Sequence, residues 1–245
     1  MAGGGPPPAS RGASIAAYTD RDQVLLFGGH GDAAKTWLWR GQNWGLAQPA
    51  NSPPARANAA MAYDPLTQRV LMFGGNSTAR PHPGTRLNDT WEWDGCTWTR
   101  VAVDRTAPPA ASAPAMTWDQ GLNTMVLLTS GGAGAPNGTE TWTWAGSHWE
   151  VAATGSASPS GTRFLMAFDP QLSAPIALTE GDVQAGAVTT KGTWFWDGTT
   201  WRRLTPIHAP PAPASAVLAV DPLAPAQHPD RGGDIPSPSA RRDGV

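Results

Sequence analysis

Short apolar segments bounded by turn residues recur along the whole chain, and none has the 3.6-residue spacing of an amphipathic helix. The clearest copy contains two such segments, Ala59 to Pro65 and Arg69 to Gly75. A third segment carries Trp91 and Trp93 at positions i and i+2, so both side chains lie on the same face of a strand. This pattern predicts a unit of four strands, a to d, joined by tight turns between a and b and between c and d.

The unit occurs four times. The string Thr-Trp-x-Trp-x-Gly-x-x-Trp begins at Thr36, Thr90, Thr141 and Thr193. Its glycine, such as Gly95, is expected to supply the positive φ of a tight c–d hairpin. Double glycines follow strand b in the first two copies: Gly28, Gly29, Gly74 and Gly75. Twelve of the 13 tryptophans lie in the four strings and are interpreted as structural: Trp37, Trp39, Trp44, Trp91, Trp93, Trp98, Trp142, Trp144, Trp149, Trp194, Trp196 and Trp201.

Four antiparallel strands in each tandem unit predict an all-β propeller with about four four-stranded blades. The predicted domain boundaries are a disordered N-terminus over 1–12, blades over about 13–48, 57–103, 112–153 and 163–205, and a Pro-rich disordered tail over 206–245. Within that tail, Ser215 to Pro222 is similar to a further strand a.

The double glycine after an apolar strand, the paired aromatics and the Trp that opens strand d resemble the Kelch repeat, most closely over Pro54 to Val103. From about Ala13 to Leu204 the chain resembles bacterial Kelch-repeat proteins and the central propeller of galactose-oxidase-like proteins. Two copies depart from the pattern. The third places its double glycine at Gly131 and Gly132 and the fourth keeps only Gly181, so distortion is expected in those blades.

Kelch propellers usually close with six or seven blades, so the resemblance implies that four copies make an incomplete propeller. The alternatives are a truncated or misassigned product of a longer gene, a small ring, or an open arc that associates with itself. The terminal blades of an open arc would expose apolar faces and strand edges. Self-association through such unclosed blades is therefore one expected kind of partnership.

Charge and hydropathy argue against several partners. The net charge is −2 and the only lysines are Lys35 and Lys191, so neither nucleic acid nor an anionic membrane is an expected partner. Met1 to Ser10 lacks an apolar segment, and no run of about 18 apolar residues occurs. Without a predicted signal peptide or membrane span, the chain is expected to be cytoplasmic by default.

No catalytic or metal-binding constellation is predicted, and no cofactor is expected. The histidines are scattered without ligand spacing: His30, His82, His148, His208 and His228. A copper site like that of galactose oxidase would need tyrosine and histidine ligands and a tyrosine–cysteine crosslink. The chain offers Tyr18 and Tyr63, both in strand a, and Cys96 in a c–d turn. The repeated tryptophans are interpreted as packing between blades rather than as a surface for sugars.

The loops give the best candidate site. The b–c and d–a connections lie on one side of a propeller, and binding residues concentrate in loops on a rigid scaffold. The longest b–c loop, Asn76 to Asp89, carries Arg80, His82 and Arg86. By resemblance to Kelch domains that bind peptides, Arg11 and Arg56 are expected to ring the mouth of the central channel.

These residues favour a non-catalytic module that binds a protein or a glycan. Solvated loop charges without a ligand are an equally open interpretation. The remaining alternatives are a galactose-oxidase-like or glycan-processing enzyme domain and a non-functional fragment of a longer propeller.

Overall fold

A computed structural model of the chain describes residues 7–31, 34–102, 107–130, 139–154, 163–184 and 187–206, together with residues 159 and 218. These ranges contain eighteen strands and one short 3-10 turn, Thr19–Arg21. In chain order the strands are β1 (Ser14–Tyr18), β2 (Gln23–Phe27), β3 (Thr36–Trp39), β4 (Trp44–Leu46), β5 (Arg56–Ala57), β6 (Ala60–Asp64), β7 (Arg69–Phe73), β8 (Asn76–Ser77), β9 (Thr90–Trp93), β10 (Trp98–Val101), β11 (Ala115–Asp119), β12 (Thr124–Ser130), β13 (Thr139–Trp144), β14 (Trp149–Thr154), β15 (Arg163–Asp169), β16 (Ala174–Gln184), β17 (Ala187–Trp196) and β18 (Trp201–Leu204). Nowhere in the described ranges is there a helix long and apolar enough to cross a membrane.

Sixteen of these strands form four antiparallel sheets of four strands each, and the predicted all-β, four-blade propeller is confirmed. The blades are β1-β2-β3-β4, β6-β7-β9-β10, β11-β12-β13-β14 and β15-β16-β17-β18. The innermost strands, β1, β6, β11 and β15, surround a central channel, and each contacts the next along the chain. The remaining strands, β5 and β8, pair as a small ribbon beside blade 2.

The tight turns follow the sequence pattern. Each c–d turn contains a glycine with φ between +77° and +98°, as at Gly41 and Gly95. The turn brings the second and third tryptophans of the string opposite each other, as in the pairing of Trp93 with Trp98. In the a–b turns of blades 2, 3 and 4 an aspartate such as Asp64 accepts hydrogen bonds from the backbone N–H of residues two and three positions later. Local hydrogen bonding thus holds the hairpins.

The core lies between neighbouring blades. The indole Nε1 of Trp98 donates to Thr36 Oγ1 in the preceding blade at 3.0 Å. Trp149 repeats this contact to Thr90 at 2.9 Å, and Trp201 repeats it to Thr141 at 2.8 Å. All three indoles are buried. In blades 2, 3 and 4 the tryptophan that opens strand d therefore joins its blade to the one before it.

Blades 3 and 4 are less regular than blade 2. The β13–β14 pairing shifts register between Thr141 and Trp142, and the β16–β17 pairing shifts on both sides of Glu180. Gly181, the single glycine of the fourth copy, lies in β16. Gly131 and Gly132 lie outside the described residues, as does the predicted tail over 206–245 except for Pro206 and Leu218.

Gly75 shows why strand b ends in a double glycine. Its φ is +88°, and a Cβ there would lie 2.6 Å from Ala57 O and 2.8 Å from Ala59 N. Gly146 has a similar φ of +83° but open space around it. An alanine at either position would be strained by the positive φ, but only at position 75 would its Cβ also meet backbone atoms. Gly75→Ala is therefore expected to lower the free energy of unfolding by about 1–3 kcal/mol more than Gly146→Ala. Urea unfolding of the two variants measures this difference, and equal losses would contradict the role of the close approach.

Candidate functional site at the mouth of the channel

The central channel opens on the side of the d–a and b–c connections into a cavity of about 790 Å³, here called the channel mouth. It is lined by the residues that precede or open strand a in all four blades. The polar members of the lining are Arg11, Asn58 and Arg163. Because each blade contributes the start of its innermost strand, the rigid sheets fix the positions of these side chains around the axis.

The structure places Arg11 and Arg163 at the channel mouth, where Arg11 is exposed and Arg163 is half-buried. The backbone of Arg11 is held to blade 1 because its carbonyl accepts the His30 N–H at 2.9 Å. Asn58 adopts a φ of +58° just before β6, and its N–H donates to Gly12 O at 2.7 Å. Two cationic groups and an amide therefore share one concave surface, which suits a ligand that carries carboxylates.

Arg56 does not lie at this surface. Its side chain is only 1% exposed, and its Nη1 and Nη2 donate to the two carboxylate oxygens of Asp89 at 2.6 and 2.7 Å. Its remaining hydrogen bonds go to the carbonyls of Pro54 and Gly74. The guanidinium thus ties the segment before strand a to both ends of the b–c loop of blade 2.

The electrostatics of this pair favour its ionised form. Burial alone would raise the pKa of the Asp89 carboxyl, but the hydrogen bonds and charge of Arg56 outweigh it, together with a hydrogen bond from Trp91 Nε1 at 2.7 Å. The pKa of Asp89 is consequently held below its ordinary value. A doubly hydrogen-bonded, buried pair of this kind fixes the loop that follows it.

The b–c loop of blade 2 carries Arg80, His82 and Arg86, and all three side chains are exposed. The loop folds back on itself through hydrogen bonds from Ser77 N to Thr85 O and from Gly84 N to Ser77 O. None of the three side chains lines either cavity along the axis. Arg80 and Arg86 therefore place two cationic groups on the same side as the channel mouth but separate from its lining.

A second group of residues along the axis was not predicted from the sequence. Tyr63, Trp118 and Phe168 line a cavity of about 730 Å³ inside the channel, towards the a–b turns. Each stands immediately before the aspartate of its a–b turn, and this recurring aromatic was the signal that would have found them. Leu218 also lines this cavity.

The side chains that could serve redox or metal chemistry do not form a cluster among the described residues. Among the described residues, no three His, Cys, Asp or Glu side chains come together as a metal site. The rings of Tyr18 and Tyr63 pack in a tilted arrangement with centroids 5.2 Å apart, and burial raises the pKa of both phenols. The Tyr18 hydroxyl donates to Gln68 O at 2.8 Å, whereas Cys96 is exposed in a c–d turn.

Comparison with known proteins shows the fold but no family. No protein-family model matches the chain. The dynein regulatory complex subunit 7 of Chlamydomonas reinhardtii is 33% identical over 43% of this chain, which spans only 9% of that protein. The structure of YjhT superposes with a TM-score of 0.60 at 13% identity, covering 84% of this chain and 68% of YjhT. The exo-β-1,3-galactanase from Phanerochaete chrysosporium gives a TM-score of 0.50 at 10% identity over 80% of this chain and 49% of that enzyme. At these identities the two structures share the propeller fold with this chain and nothing finer.

Proposed function

We propose that the blades are of the Kelch type and that the chain is a non-catalytic interaction module, which binds an acidic segment of a protein at the channel mouth and the adjoining b–c loop. The observation that carries this proposal is the placement of exposed Arg11 at the channel mouth, with exposed Arg80 and Arg86 on the same side. Cationic groups held on a rigid scaffold recognise carboxylates at little cost in conformational entropy.

The lining of the two axial cavities supports binding rather than hydrolysis. Glycoside hydrolases act through a pair of carboxyl groups that flank the scissile bond. Among the described residues that line the two cavities there is no Asp or Glu. The galactanase among the structural neighbours is thus similar in fold, while the cavity walls here offer cations, amides and aromatic rings.

Binding to a glycan is the second candidate, favoured by the aromatic side chains inside the channel. Tyr63, Trp118 and Phe168 are half-buried and share the cavity with Gln120 and Asn123. Aromatic faces combined with amide groups suit the apolar and hydroxylated surfaces of a sugar. A neutral oligosaccharide would use this cavity and would not need the arginines.

The test is fluorescence polarisation with a labelled oligo-glutamate peptide. Arg11→Ser/Arg86→Ser is expected to weaken binding about tenfold, since two exposed charge contacts of about 0.5–1 kcal/mol each are removed. Arg40→Ser/Arg100→Ser makes the same change in charge at exposed positions in a c–d turn and on an outer strand. This control is expected to bind like the wild type.

Added salt should weaken binding of the peptide by the wild type, because the contacts are exposed charges. Equal affinities for both double variants would contradict a site at the channel mouth. Binding of a neutral β-linked oligosaccharide that is lost in Trp118→Ala but kept in Arg11→Ser/Arg86→Ser would instead support the glycan candidate.

A further inference from the structure

The two ends of the blade array break the packing pattern of its interior. Each blade has a donor face, which carries the paired tryptophans and the Trp that opens strand d, and an acceptor face, which carries the Thr that opens strand c. At the three internal seams the donor face of one blade covers the acceptor face of the blade before it. The donor face of blade 1 and the acceptor face of blade 4 take part in none of these three seams.

The donor face of blade 1 is partly open. Val24, Leu26, Trp39 and Trp44 are half-buried, whereas Trp37 is buried. Their counterparts in blade 2 are all fully buried: Val70, Met72, Trp93 and Trp98. The ring of Trp44 packs at a tilt against Trp39, with centroids 5.7 Å apart, much as in the other blades. Within the described residues, however, its indole N–H donates to no threonine.

The acceptor face of blade 4 is open in the complementary way. Ile176, Leu178, Thr193 and Phe195 are half-buried. The corresponding residues of blade 2 include Leu71 at 2% exposure and Phe73 and Thr90 at 0%. In the described part of the chain Thr193 accepts no indole hydrogen bond, although Thr36, Thr90 and Thr141 each accept one.

We propose that a second copy of this chain packs head to tail against the first, with the donor face of blade 1 on the acceptor face of blade 4 in the other copy. Trp44 Nε1 then donates to Thr193 Oγ1 of the second copy, as the equivalent tryptophans do at the internal seams. The contact continues an interface that the chain already forms three times, and one copy carries both halves of it. Such a head-to-tail contact closes a ring if the rotation permits and otherwise extends the array.

The chemistry of the two faces fits this contact. The half-buried side chains that meet are aliphatic or aromatic apart from the Thr193 hydroxyl, so their burial removes apolar surface from water without stranding a charge. Within the described residues, β1 and β15 lack the extensive contact that joins the other successive inner strands. Within the described residues the two faces are therefore not closed on each other.

The experiment is the molar mass in solution by size-exclusion chromatography with light scattering. The wild type is expected to associate, while Trp44→Ala and Thr193→Lys are each expected to be monomers. An equimolar mixture of the two variants is expected to form a one-to-one dimer, because the intact Trp44 of one variant meets the intact Thr193 of the other. Leu66→Ala, at a 67% exposed position in an a–b turn, is the control and should behave like the wild type.

Circular dichroism of each variant verifies that it is folded, and Trp44→Phe replaces Trp44→Ala if the latter is not. A wild type that stays monomeric at all concentrations would overturn the proposal and indicate that the faces meet within one chain. A mixture of variants that remains monomeric, or a single variant that still associates fully, would also overturn it, because either result excludes the head-to-tail contact.

Discussion

Asp89→Asn is expected to lower the free energy of unfolding by about 3–5 kcal/mol, because it leaves the guanidinium of Arg56 buried without its counter-charge. The substitution keeps the size and shape of the side chain, so the loss reports the ion pair rather than a cavity. Arg56 is 1% exposed and the Asp89 side chain 11%, so water cannot replace the lost contact effectively. Urea unfolding followed by tryptophan fluorescence gives the value.

The matched control is Glu92→Gln, which breaks the pair that Glu92 forms with Arg69 at 2.7 Å. The side chain of Arg69 is 42% exposed, so solvent screens this pair and the expected loss is below about 1 kcal/mol. If both variants lost the same free energy of unfolding, the buried pair would contribute no more to stability than the exposed pair.

The same pair predicts a dependence on pH. The pKa of Asp89 is lower in the folded chain than in the unfolded chain, where it is about 3.9. Its contribution to stability is therefore complete above that value and is lost as the pH falls towards the depressed folded pKa. The difference in unfolding free energy between the wild type and Asp89→Asn should shrink over this acidic range.

Trp149→Ala is expected to lower the free energy of unfolding by about 3–5 kcal/mol, as much as Asp89→Asn, because it removes a large side chain from the fully buried seam between two blades. Trp149 is 0% exposed, lies against Phe73 with ring centroids 5.9 Å apart, and donates to Thr90 Oγ1. The cavity left by the substitution would lie between blade 2 and blade 3. In a repeat array whose units contact only their neighbours, loss of one seam should also broaden the unfolding transition.

Trp44→Ala is the matched control, since Trp44 holds the same place in the repeat but is only half-buried. In a dilute solution of monomers, Trp44→Ala is expected to lower the free energy of unfolding by about 1–2 kcal/mol, because Trp44 buries a smaller apolar area than Trp149. Equal costs for the two variants would mean that the donor face of blade 1 is covered within the single chain.

The alternation of apolar residues, the turn glycines and the tryptophan spacing were sufficient to predict the four blades. These signals are local, because a hairpin is specified by residues close together in the chain. The distortion of blades 3 and 4 was likewise expected from the departures at Gly131, Gly132 and Gly181, although the first two lie outside the described residues.

The candidate site was predicted only in part. The sequence pointed to the correct side of the propeller for Arg11 and for the loop with Arg80, His82 and Arg86. It also directed Arg56 to the channel mouth, whereas the side chain is buried against Asp89, 33 residues away in the chain. Arg163 and Asn58 line the mouth instead. Spacing along a strand does not reveal which distant loop will bring a carboxylate to an arginine.

The repeated string therefore determined, by itself, that the chain builds β-sheet blades and where each hairpin turns. Only the tertiary structure decided what each copy of a residue does. Trp44 and Trp149 occupy the same position in the repeated string, but Trp149 is buried against the preceding blade whereas Trp44 is only half-buried. Burial depends on the adjacent unit rather than on the repeat itself, and so the environment of each tryptophan was set by packing between blades.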